Sequence, residues 1–168
     1  TEGGGITILN TKTKKYKYLT TKTSNLKGNN VKSLCVTKDN KLWLGIFKFG
    51  LQVYDLETKQ FSTAQPSKEL QDYIKGKNVY SIINGTKNSI WIGVFGKGVI
   101  KYNTKTKLFK NYWKSEKDSL SSDLVRTVFK DSDDNIWVGT ERGLNKIIKD
   151  GTIKKYFYDE KEKYGEKI

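Results

Sequence analysis

Trp43-Leu44-Gly45, Trp91-Ile92-Gly93 and Trp137-Val138-Gly139 stand 48 and 46 residues apart, and their surroundings repeat with them. Twelve residues before each Trp a valine opens an alternating run: Val31-Lys32-Ser33, Val79-Tyr80-Ser81 and Val125-Arg126-Thr127. Six or seven residues after each Trp a glycine opens a further apolar run: Gly50-Leu51, Gly98-Val99 and Gly143-Leu144. An aromatic follows 11 residues later in the first two copies, Phe61 and Phe109, and 13 later in the third, Tyr156. At the amino terminus Gly5-Ile6-Thr7-Ile8 reaches Tyr16 by the same step of 11, so the register glycines fall at 5, 50, 98 and 143. Self-similarity at such a period marks a repeat architecture.

Inside the best-formed unit four short segments, 31–36, 42–46, 51–55 and 60–64, are rich in β-branched and aromatic residues and read as strands. Between the first two lies turn chemistry in every copy: Thr37-Lys38-Asp39-Asn40, Gly85-Thr86-Lys87-Asn88, and Asp131-Ser132-Asp133-Asp134-Asn135. Asx and Gly residues tolerate left-handed backbone and bond their own chain, which closes hairpins. Four antiparallel strands in about 46 residues make a propeller blade. Helical periodicity is confined to 68–73. The expected fold is therefore all-β: a β-propeller fragment of about three and a half four-stranded blades. Residues 1–26 form the second half of a blade, 27–74, 75–122 and 123–168 three full ones, the last with a polar tail. Because closed propellers carry four to eight blades, the expected partners are the remaining blades of a parent protein or a second copy of this chain.

Composition narrows the function. Of 168 residues none is His, none is Met and only Cys35 is Cys. That removes imidazole bases, Ser-His-Asp and Cys-His nucleophiles, His-based metal sites and disulfides within the chain. Asp131, Asp133 and Asp134 fit a hairpin turn better than a calcium loop, which needs a glycine and a terminal glutamate in register. No catalytic residue, metal or cofactor is expected, and no apolar run has the length of a membrane span. The formal charge of +14 rests on 32 basic residues, of which only Arg126 and Arg142 are arginine. Dispersed lysine lacks the planar fork that reads bases and phosphates, so neither nucleic acid nor membrane contact is expected. The repeated Trp reads as packing between blades beside a glycine that admits a neighbouring backbone, and Val-x-Ser/Thr as part of the axial wall.

The stretch Asp134-Asn135-Ile136-Trp137-Val138-Gly139-Thr140-Glu141-Arg142-Gly143-Leu144 resembles the two-component regulator propeller repeat. Thr1-Glu2-Gly3-Gly4-Gly5-Ile6 matches the same pattern from Thr140 onward, whereas Gly45-Ile46 and Gly93-Val94 depart from its usual Gly-Thr. The resemblance implies a propeller in the periplasmic sensor region of a hybrid two-component regulator, responding to a glycan fragment, with a histidine kinase outside this chain. The alternative is a structural or protein–protein interaction propeller without a small-molecule ligand.

Ligand contacts are expected on the loops joining strands two and three and on the links between blades, 62–78 and 110–124, since recognition sits on loops held by a rigid scaffold. Phe47 and Phe95 each lie four residues after the repeat Trp, where the third copy has Glu141. With Lys48 and Lys97 beside them they offer a stacking surface and cations for a carboxylate or sulfate. Burial of both rings beneath neighbouring loops is the competing expectation. Trp113, the one Trp outside the repeat register, and Arg142 complete the candidate set.

Overall fold

The computed structural model describes residues 2–62, 66–115 and 119–157. It is a row of antiparallel meanders. Strands β1 (Ile6–Leu9) and β2 (Tyr16–Leu19) form a two-stranded half-blade. The first full blade is β3 (Val31–Val36), β4 (Lys41–Ile46), β5 (Gly50–Asp55) and β6 (Gln60–Phe61). Helix α1 (Lys68–Tyr73), capped by the Ser67 hydroxyl, leads to β7 (Val79–Asn84), β8 (Ser89–Val94), β9 (Gly98–Asn103) and β10 (Phe109–Tyr112). The third blade is β11 (Val125–Lys130), β12 (Ile136–Thr140), β13 (Gly143–Ile147) and β14 (Ile153–Tyr156). Of the fourth strand expected over 60–64 in the first blade, ladder pairing covers Gln60 and Phe61, while residues 63–65 lie outside those described, as does the tail from 158.

Apolar side chains of each sheet meet those of the next. Trp43, Leu51 and Val53 of the first blade are buried against Val79, Ile92, Ile100 and Tyr102 of the second. Trp91 and Val99 meet Val125, Val128 and Ile147 of the third in the same way. The ring of Trp43 lies 5.5 Å from that of Tyr102. The glycine two residues after this Trp is needed because the next blade comes so near: a Cβ on Gly45 would stand 2.5 Å from the Val79 carbonyl oxygen. Gly98, at φ +78°, opens β9 where a Cβ would lie 2.1 Å from the Tyr112 carbonyl oxygen.

The inner strands β3, β7 and β11 run side by side and are tied by the serines of Val-x-Ser. The Ser33 hydroxyl donates to the Val79 carbonyl at 3.2 Å, and the Ser81 hydroxyl accepts from the Val128 N–H at 3.0 Å. Among the described residues no strand covers the far flank of the third blade. There Leu144 is 41% and Phe129 62% exposed, at positions whose counterparts Leu51 and Cys35 are buried under the following blade.

Candidate ligand-binding face

Each inner strand begins with the same irregularity. Pairing slips between Val31 and Ser33, between Val79 and Ser81, and between Val125 and Thr127. The residues left over are Lys32, Tyr80 and Arg126. A bulge re-aims the side chain it frees, and here all three freed side chains reach the loops that join strands two and three.

Those loops are anchored alike. The Phe47 N–H donates to the Asn30 carbonyl and the Phe95 N–H to the Asn78 carbonyl, both at 2.9 Å, and the Glu141 N–H to the Leu124 carbonyl at 3.1 Å. Each acceptor immediately precedes the valine of its own inner strand, so bulge residue and loop residue face each other across one blade. In the first blade the Lys32 ammonium sits 5.7 Å and the Lys48 ammonium 5.5 Å from the centre of the Phe47 ring. In the second, Tyr80 and Phe95 meet edge to face at 5.7 Å. In the third, Arg126 pairs with Glu141.

Bulge residues also reach back to the preceding unit. Lys32 donates to Glu2 at 2.6 Å, a contact that holds the Glu2 carboxyl below its usual range. The Arg126 guanidinium lies 4.5 Å from the Phe95 ring centre and 5.3 Å from that of Tyr80. Glu2, Lys32 and Phe47 thus form one cluster, and Tyr80, Phe95, Arg126 and Glu141 another. Both lie at the end of the row where the inner strands start, with aromatic faces flanked by paired cations.

Among the six residues expected from sequence, the structure joins Phe47 to Lys48 and places Phe95 in the second cluster. Lys97 turns to helix α1, its ammonium 4.6 Å from the Tyr73 ring. Trp113 is 53% exposed on the link after β10, and Arg142 is exposed beyond β12. No described hydrogen bond or ring contact joins these three to the clusters. Sequence reading missed Lys32, Tyr80 and Arg126. They share one place in all three copies, the middle of Val-x-Ser/Thr, and differ there in chemistry while their neighbours hold constant. That variation at a fixed register was the available signal.

The aspartate turn is occupied by its own hairpin. Asp131 accepts from the Asn135 side-chain amide and the Trp137 indole, at 2.9 and 2.8 Å, and from the Asn135 and Asp133 backbone N–H groups, at 2.8 and 3.0 Å. These bonds lower its pKa to about 2. Its oxygens are committed to turn and Trp, and no group of three or more metal-ligating side chains occurs among the described residues.

Two stretches, 25–48 and 119–142, match the sequence profile of the two component regulator propeller. Each runs through an inner strand, its hairpin and the Trp strand. These are two-component regulator propeller repeats. The propeller is 35% identical over 171 residues to histidine kinase P4 of Formosa agariphila, covering 95% of this chain and 12% of that relative. By structure it is similar to the extracellular domain of the putative hybrid two component system BT4673 from B. thetaiotaomicron. That likeness has a TM-score of 0.73 at 20% identity and covers 95% of this chain and 20% of that one. It is also similar to the corresponding domain of BT3049 from the same organism, with a TM-score of 0.64 at 24% identity over 90% of this chain and 17% of that one. The propeller therefore spans a small part of each.

Proposed function

We propose that this propeller is a non-catalytic ligand-sensing segment of a periplasmic two-component receptor, responding to glycan fragments, with the histidine kinase and further blades supplied outside the chain. The observation that carries the reading is the pair of aromatic and cationic clusters at the start of the inner strands. Sugar rings stack on aromatic faces, and cations beside such faces hold acid or hydroxyl groups. Bulges that free one side chain per blade, at the same end and beside the same loop, serve recognition better than packing. The matching relative is called a histidine kinase, and the similar solved domains are described as extracellular parts of two component systems. Phe47, Lys48 and Phe95 are the contacts favoured among the sequence-derived set, joined by Lys32, Tyr80 and Arg126.

The test is a glycan-library screen followed by calorimetry on the best hit. Phe95→Ala is expected to weaken binding by about tenfold or more, in line with loss of one stacking face. An unchanged dissociation constant for both Phe47→Ala and Phe95→Ala places binding elsewhere.

A further inference from the structure

Arg126 is held in an unusual way for an exposed arginine. Its guanidinium is stacked on Phe95 and faces Tyr80. Its Nε and Nη2 groups both donate to a single oxygen of Glu141, Oε1. A guanidinium binds a planar oxyanion best through two parallel bonds to two oxygens, so this pair leaves the fork incompletely used. The partners remain reachable: the Arg126 side chain is 51% and that of Glu141 37% exposed. An ion pair so open to water contributes little on its own. A stacked, pre-oriented guanidinium with a weakly bound internal carboxylate has the form of an oxyanion receptor closed by its own competitor. Lys32 repeats the theme on Phe47 with Glu2, whose side chain is 83% exposed.

Resting on the sensing reading above, we propose that Tyr80, Phe95 and Arg126 form the specificity-determining subsite for the acid group of a sugar ring, a uronate carboxylate or a sulfate ester. Glu141 holds that subsite until the ligand displaces it. The ring packs against Phe95 and Tyr80 while its acid group takes both donors of the Arg126 fork, and the freed Glu141 carboxylate turns to water. No covalent step is involved.

The experiment is calorimetry of the whole chain with trigalacturonate and its methyl ester, and with galactobiose 6-sulfate and galactobiose. These arms separate a carboxylate from a sulfate requirement. At least one acidic probe is expected to bind about tenfold or more tightly than its neutral counterpart, as charge-assisted fork pairing implies. Arg126→Met, which keeps the apolar stem over Phe95, should reduce the acidic probe to the level of the neutral one. Glu141→Gln, which keeps the shape and removes the competing charge, should tighten the acidic probe severalfold relative to the neutral one. Thermal midpoints of both variants establish that the fold is retained. Equal binding of acidic and neutral probes, or weaker acidic binding by Glu141→Gln, overturns the subsite and leaves the sensing reading standing. Binding by none of the four probes overturns the subsite; whether the broader glycan screen then yields a hit decides the sensing reading separately.

Discussion

The indole nitrogen of the repeat Trp has a different fate in the first and third blades, decided six residues upstream. Asp131 accepts from Trp137 at 2.8 Å. In the first blade the same position is Thr37, whose hydroxyl donates to the Lys41 carbonyl, and the Trp43 indole N–H is buried without a partner among the described residues. A buried donor left unsatisfied costs roughly 1–3 kcal/mol. The hairpins 37–43 and 131–137 are equally long, so Thr37→Asp should reproduce the Asp131 arrangement. It is expected to raise stability by about 1 kcal/mol, read as a higher urea midpoint at unchanged slope. Asp131 also sets an acid limit. Its pKa, like that of Asp55, is lowered to about 2, the latter chiefly by its ion pair with Lys41. A carboxyl depressed on folding stabilises above its unfolded pKa of about 3.9, and that contribution disappears as pH falls through the folded value. The urea midpoint should therefore hold between neutrality and about pH 4 and fall between there and about pH 2. Asp131→Asn should flatten part of that fall. The turn role of Asp131 was legible from its Asx neighbours. Its bond to Trp137 was not, because it depends on how the hairpin folds back over the indole.

At the scale of the element, the chemistry of the outer hairpin repeats in three of the four units. Asn10, Asp55 and Asn103 each accept from two backbone N–H groups of the turn between the third and fourth strands. In these three units the residue that closes the turn is lysine, Lys14, Lys59 and Lys107 at φ 57°, 57° and 65°, whereas the third blade has Gly151 at φ 94°. Left-handed backbone costs an ordinary residue about 1–2 kcal/mol and asparagine less. Lys59→Asn is expected to stabilise the protein by about 0.5–1 kcal/mol, seen as a higher thermal midpoint. A lower midpoint would show that the lysine stem does more than fill the turn. Strand positions and helix α1 were legible because alternation and turn residues are local signals. The bulges were not. Valine and serine two apart look like uninterrupted alternation, and only the pairing with β4, β8 and β12 shows that the residue between them has slipped out of register.

At the scale of the molecule, the repeat period alone makes the row of blades readable in the sequence, and the glycine after each Trp marks where blades close. The clusters at the mouth were half readable. Phe47 and Phe95 stood out as aromatics in loops, yet their partners come from inner strands, and for Arg126 from the following blade, so blade-to-blade placement decides the site. Dispersal of the lysines along the chain likewise gave no hint that Lys32 would pair with Glu2 over a separation of 30 residues. The central claim is that one end of this propeller receives a glycan. Hydrogen exchange with and without the best glycan hit tests it most directly. Slowed exchange is expected in the backbone at 30–32, 47–48, 78–80, 95–96 and 124–126, with the opposite-end hairpins 37–40, 85–88 and 131–135 unchanged. Slowing confined to those hairpins, or absent from the mouth at saturating ligand, would contradict it.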